Sequence, residues 1–195
     1  MKHVKLPVSF CVVLALTLAF IGCTKPPETE KQAAKAAMDA AISAGADKYA
    51  IAGLDDAKKI WDTAESQMKE KKYEEAKKSY IDATTAFKKA TMDARKKAAA
   101  EQANAALATL EELWKNVEVA AKKMEKKLKY KGTWKTDAEA ISEGLERAKE
   151  MIATNPSQAK DKLDDLKIMV MKWENTLKEM AAAPGKPKAA KKEKK

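Results

Sequence analysis

Histidine and cysteine are scarce in this 195-residue chain and lie near its start, and a dense run of lysine lies at its far end. His3, Cys11 and Cys23 lie close to the start, and Lys186, Lys188, Lys191, Lys192, Lys194 and Lys195 lie at the far end. A cysteine thiolate is a nucleophile that can be alkylated, and clustered ammonium groups attract polyanions. Cys23 closes Phe20-Ile21-Gly22-Cys23, at the end of an apolar run, Val8–Ile21, interrupted only by Ser9, Cys11 and Thr17. Lys2, His3 and Lys5 precede the run, and the polar stretch Thr24-Lys25-Pro26-Pro27-Glu28 follows it. A positive start, an apolar middle and a small residue before the break form the pattern of an export signal. The run is shorter than the roughly 20 apolar residues a stable span needs, which favours cleavage over a retained anchor.

Removal of the export signal, if it ends with the apolar run ahead of Cys23, alters the available chemistry. His3 and Cys11 leave with residues 1–22, so the mature chain keeps no histidine and a single cysteine. A disulfide framework is excluded, although an oxidising compartment would allow one. His/Cys metal sites, Ser-His-Asp triads and Cys-His pairs are excluded as well. Carboxylate or lysine catalysis stays open on residue types alone, but no arrangement in the sequence asks for it. The expectation is a non-enzyme with no catalytic residues, no metal, no cofactor and no small-molecule substrate.

The layout up to Cys23 resembles the lipobox signal of bacterial lipoproteins. That resemblance implies cleavage at Gly22–Cys23, a diacylglyceryl thioether on Cys23, and Cys23 as the first mature residue. The chain departs from the family pattern in carrying Phe20 where Leu is usual. Thr24 stands where the family's inner-membrane retention signal has Asp, so the resemblance implies an outer-membrane anchor facing the periplasm.

Charge is unevenly spread. The whole chain carries +10, and Lys2 and Lys5 leave with the signal, so +8 remains. Six lysines against one glutamate put +5 of that in residues 184–195, leaving about +3 for the body. This Pro/Gly/Lys tail cannot bury a core and reads as disordered. Two readings of it stand: a solvated tail, or electrostatic contact with anionic envelope polymers such as peptidoglycan or acidic lipid. The terminal Lys195 is similar to the end of short outer-membrane lipoproteins joined to peptidoglycan through a final lysine, but their Tyr-Arg-Lys ending is missing. Export argues against a nucleic-acid partner despite the high pI.

The body reads as helix. Alanine, lysine and glutamate dominate, and no Gly or Pro falls between Gly53 and Gly132. The spacing predicts a first helix over Glu28–Ala46, broken by the stretch Gly45–Gly53, and a second over Leu54–Met68. A third follows Lys69-Glu70-Lys71-Lys72 and runs from Tyr73 to Tyr130, spanning about 87 Å if unbroken. Gly132-Thr133-Trp134-Lys135-Thr136 ends it, with Thr136 or Asp137 as the next N-cap. Asn155-Pro156 separates the last two helices.

Apolar seams fix the expected architecture. Ala76, Tyr80, Ala83, Phe87, Ala90 and Ala94 share one helix face, and Leu107, Leu110, Trp114, Val117, Ala121, Met124 and Leu128 continue in a shifted register. Ile141, Leu145, Ala148 and Ile152 form another seam, as do Leu163, Leu166, Val170, Trp173, Leu177 and Met180. Such stripes bury against partner helices. The expected fold is all-α, an elongated antiparallel bundle built as two three-helix bundles sharing the long helix. The expected divisions are signal 1–22, linker 23–29, bundles 30–98 and 99–183, and tail 184–195. A shift of 83 residues lays Ala76, Tyr80, Ala83 and Phe87 on Ala159, Leu163, Leu166 and Val170, which suits an internal duplication and equally suits two similar seams.

Gly45-Ala46-Asp47-x-Tyr49-Ala50, Leu54, Ala57, Ala64 and Tyr73-Glu74-Glu75-Ala76 resemble an uncharacterised helical domain of small envelope lipoproteins, found in some relatives ahead of an OmpA-type domain. The likeness covers about Ala33–Ala94, and no OmpA-type domain follows. The spacing Ala76-x3-Tyr80-x2-Ala83 is also similar to the second helix of one tetratricopeptide unit, and such solenoids need about three repeats. Trp61, Trp114 and Trp173 fall on seams and read as core, while Trp134 falls in a predicted turn and reads as a plug at the end of the second bundle. Asp161, Asp164 and Asp165 suit a helix start rather than a calcium loop. Nine methionines read as adaptable core filler. Together these readings favour a lipid-anchored envelope spacer or binding scaffold, with a groove-binding adaptor or holdase as the alternative.

Overall fold

The computed structural model describes residues 25–128 and 132–182. Every regular element among them is a helix: α1 Glu28–Ser43, α2 Ala46–Tyr49, α3 Ile51–Lys69, α4 Tyr73–Lys123, α5 Glu125–Leu128, α6 Trp134–Thr154 and α7 Pro156–Ala182. The fold is an all-α helical bundle. Residues 1–24 and 183–195, which hold the signal segment, Gly22, Cys23 and the lysine tail, lie outside the described residues.

Local chemistry explains the helix ends. Glu28 and Glu30 occupy the first turn of α1, where carboxylates complement the helix dipole. The expected run to Ala46 stops instead at Ser43, because Gly45 turns the chain through the left-handed region at φ 76°. Its N–H donates to the Ile42 carbonyl at 2.9 Å. The stretch 45–53, expected as a break, holds α2 and the start of α3. Gly53 lies inside α3, and a Cβ there would be 3.8 Å from the Ala90 Cβ, so the glycine marks a close helix crossing rather than a turn. The α3–α4 turn sits at Glu70–Lys72, with Lys71 at φ 61° and the Lys72 N–H donating to the Gln67 carbonyl.

Two boundaries in the second half differ from the expectation. α4 ends at Lys123 rather than running on to Tyr130, and the Met124 N–H donates to the Ala121 carbonyl at 2.9 Å, a tightened turn. Like charges at helical spacing, Lys122 and Lys123 against Lys126, oppose continuation there. α6 starts at Trp134, ahead of the expected caps Thr136 and Asp137, with Thr133 as N-cap and no side-chain cap bond. Pro156 opens α7 as its first residue, as its missing N–H and fixed φ favour.

The chain divides into two compact units at Ala94/Arg95, inside α4, against an expected division at 98/99. In unit 1 the core draws on α1, α2, α3 and the first part of α4. It is largely alanine, including Ala34, Ala41, Ala57, Ala64, Ala76 and Ala83, filled by the fully buried Tyr80 and Phe87 and by Leu54. In unit 2 the second part of α4 with α5, α6 and α7 supplies larger side chains: Leu107, Leu110, Trp114, Val117, Ile141, Leu145, Leu163, Leu166, Val170, Trp173 and Leu177. Each such side chain taken fully out of water contributes about 1.5–3 kcal/mol. The buried stripe of α4 changes register between Ala94 and Ala103, where one core ends and the other begins. The 83-residue shift sets buried on buried throughout the pairs Ala76/Ala159, Tyr80/Leu163, Ala83/Leu166 and Phe87/Val170.

Candidate functional site

The candidate site residues at the two ends, Gly22 and Cys23 and the lysines from Lys186 to Lys195, lie outside the described residues, so the described geometry neither gathers nor separates them. Asp161, Asp164 and Asp165 do not converge. Asp164 accepts a bond from Lys160 Nζ at 2.8 Å, and no cluster of three His, Cys, Asp or Glu able to hold a metal occurs among the described residues.

The tryptophans of unit 2 form one group. Trp134 stands between Trp114 and Trp173, with ring centroids 5.8 Å and 4.9 Å away, the latter pair edge-to-face. Aromatic pairs of this kind add about 0.5–1.5 kcal/mol beyond area burial. Trp134 opens α6 rather than lying in a turn, and it closes the end of the core while staying half-buried. The Trp173 indole N–H donates to Asp137 Oδ2 at 3.0 Å, which ties α7 to the first turn of α6. That bond uses the carboxylate expected from the sequence to serve as a cap.

Beside this group, the break in α4 leaves unfilled space. An open cavity of about 650 Å³ is walled by Ala121, Leu128, Trp134 and Ala138 and rimmed by Glu118, Lys122, Glu125 and Lys135, with Gly132 at its edge. A smaller, mostly apolar cavity of about 250 Å³ lies between α4 and α7, lined by Leu113, Val117, Ala120, Met124, Leu177 and Ala181. The larger cavity includes Glu125 and Leu128 of α5, whereas the smaller one lies alongside α4 ahead of its end.

Unit 1 has a polar junction instead. Glu65 of α3 accepts from the Tyr80 hydroxyl at 2.5 Å and from Lys31 Nζ of α1 at 3.0 Å, joining three helices. Burial pushes the Glu65 carboxyl up, but the adjacent Lys31 ammonium and Tyr80 hydroxyl outweigh it and hold the group below its ordinary value of 4.5. Burial, then the hydrogen bond to Glu65, raise the Tyr80 hydroxyl above its ordinary range. Trp61 packs edge-to-face on Tyr80 at 5.3 Å.

Comparison with known proteins adds no family to this geometry. The chain matches no family model, no curated protein and no solved structure. Its site must therefore be read from its own residues. One feature that seam spacing passes over is the density of lysine around the α4 break. Seven lysines meet one glutamate between positions 122 and 135, a local excess hidden by a body that is near neutral on average. A sliding charge count finds it in the sequence, whereas the cavity beside it needs the fold.

Proposed function

We propose that this chain is a lipid-anchored envelope protein that acts as a non-enzymatic spacer or binding scaffold. Diacylglycerol on Cys23 holds it to the outer membrane facing the periplasm, and the lysine tail contacts peptidoglycan or another anionic envelope polymer. The observation that carries this reading is the junction Ile21-Gly22-Cys23 at the end of an apolar run behind a positive start. No helix among the described residues is long and apolar enough to cross a membrane. Mass spectrometry of the mature N-terminus, with membrane fractionation, tests the reading. It predicts a first peptide beginning at acylated Cys23 and release of Cys23→Ala from the membrane fraction. An intact Met1 terminus on the membrane-bound protein would refute it.

A second reading, a groove-binding adaptor or holdase, draws support from the apolar cavity between α4 and α7 and from exposed Ile168, 70% accessible, and Met171. A chain stopping at Ala183 separates the two. Loss of cell-wall association favours tethering by the tail, and unchanged partner capture favours the helical grooves.

A further inference from the structure

We infer that the outer face of α7 is a self-association surface, on which a second copy of this chain docks its own α7 antiparallel. Asp161, Asp164, Ile168, Met171, Asn175 and Lys178 recur at spacings of three and four and are all exposed, on the side of α7 opposite its buried stripe. That spacing is the seam of a helix pair, and no other described helix covers it. Ile168, at its centre, is 70% accessible, and Met171 beside it is 46%. Single exposed apolar residues are ordinary on a surface, so the charges around this pair decide what covers it.

Residues 160–179 carry five lysines and five carboxylates, a neutral segment that offers little to a polyanion or a polycation. Their order is self-complementary. An antiparallel pair centred between Met169 and Val170 sets Ile168 against Met171 of the second copy, Asp164 against Asn175, and Asp161 against Lys178. On the flanks it sets Asp165 against Lys172 and Lys167 against Glu174, and the two-fold axis repeats every contact. Parallel pairing in register sets Asp161, Asp164 and Lys178 each against itself and Lys167 against Lys172, so charge selects the antiparallel order. Among the described residues, Asp165, Lys167 and Lys172 make no ion pair within the chain. Lys160–Asp164 and Lys178–Glu174 do, as exposed pairs at i,i+4 that contribute little and compete weakly. The equivalent face of α4, 83 positions earlier, also exposes Ile81 and Met92, but it carries Lys78, Lys88 and Arg95. The same pairing there sets Lys78 against Arg95, so apolar exposure alone makes no docking face, and the order of charge on α7 does. With so few apolar side chains at its centre, the α7 pair fits a weak, reversible dimer.

Residues 23–195 with Cys23→Ser contain both hydrophobic cores whole and no other cysteine, and sedimentation velocity over about 1–500 µM reads their association. The expected result is a monomer–dimer equilibrium with a Kd of about 10–100 µM. Ile168→Arg raises that Kd at least about tenfold. Lys172→Asp, which sets an aspartate against Asp165, weakens the dimer as well, and the swap Asp165→Lys/Lys172→Asp restores it. All three positions are exposed, so the thermal midpoints of these variants match the parent. Orientation is read by disulfide formation. Asp164→Cys and Asn175→Cys proteins cross-link when mixed and oxidised, and neither does so comparably alone. A monomer over the whole range, a dimer indifferent to Ile168→Arg, a charge swap that fails to restore association, or preferred linking of Asp164→Cys to itself overturns the inference. A monomer whose binding of an apolar dye is lost in Ile168→Arg assigns the face to a foreign apolar partner and overturns it equally. None of these outcomes depends on whether Cys23 is acylated or on what the lysine tail contacts.

Discussion

Gly144→Ala should destabilise unit 2, although glycine-to-alanine changes inside helices ordinarily stabilise. Gly144 is buried in the middle of α6 against α7. A methyl built there falls 2.6 Å from Leu166 Cδ2, 3.0 Å from Cδ1 and 3.3 Å from Cγ. Carbon atoms prefer about 3.5–4.0 Å, so all three contacts are compressed. Leu166 is 3% exposed and belongs to the core that includes Ile141, Leu145 and Leu163, so its δ-carbons have no solvent to swing into. Relieving the clash by off-rotamer side chains or helix displacement costs about 1–3 kcal/mol. Replacing glycine in a helix interior returns about 0.8–1.0 kcal/mol. The balance is a net loss of about 1 kcal/mol, equivalent to about 4–8 °C in the midpoint of a unit this size.

The assay is equilibrium urea unfolding followed by tryptophan emission, since Trp114, Trp134 and Trp173 all belong to unit 2 and only Trp61 to unit 1. A second variant isolates the cause. Leu166→Ala alone should cost about 2–5 kcal/mol by leaving a cavity. In the double variant Gly144→Ala/Leu166→Ala, the new methyl at position 144 occupies space that the leucine side chain vacates. The loss should then fall short of the sum of the singles by about 1–3 kcal/mol. A Gly144→Ala protein as stable as the parent, combined with additive losses in the double variant, would refute the claim that these helices touch through a glycine.

Two further predictions follow from the polar contacts. The partners of Glu65 hold its folded-state value below 4.5, so its charge contributes stability above pH 4.5 that is lost as pH falls through that lower value. Glu65→Gln should therefore lower the stability of unit 1 by about 0.5–1.5 kcal/mol at neutral pH, with the difference from the parent shrinking below pH 4.5 when read by Trp61 emission. Asp137→Ala removes the acceptor of the Trp173 indole, a residue 4% exposed, and should cost about 1–3 kcal/mol in urea unfolding. Asp137→Asn, which keeps an acceptor oxygen, should cost a fraction of that.

The helical seams were legible because they depend on spacing alone. Tyr80, Phe87, Leu163, Val170 and Trp173 repeat at three and four, and all are buried. Pro156 was legible for the same local reason. The end of α4 was not, since lysine and glutamate suit helix on either side of Met124 and only the accumulation of like charge weighs against continuation. Gly144 gave no signal beyond a weak helix former on an apolar face, because its importance lies in Leu166, 22 positions away in sequence. The Lys31–Glu65–Tyr80 junction is likewise a meeting of three helices, and no periodicity within one helix reports it. Of the candidate site, Trp134 was readable as an aromatic at the end of the second bundle, but the cavity it walls joins residues of three helices and required the fold.

The two units share a burial register and differ in what fills it. In unit 1 alanine lets helices approach closely, as at Gly53 and Ala90, so little space remains and a hydroxyl–carboxylate–ammonium contact orients the three helices. Alanine burial supplies little hydrophobic free energy per residue, which gives the polar junction a larger share in specifying the arrangement. In unit 2 leucine, isoleucine and tryptophan at the equivalent positions hold the helices by apolar volume. At the positions that the 83-residue shift pairs with Tyr80 and Phe87, unit 2 buries Leu163 and Val170, which carry no polar atom to pair, and its interhelical hydrogen bond lies between Trp173 and Asp137.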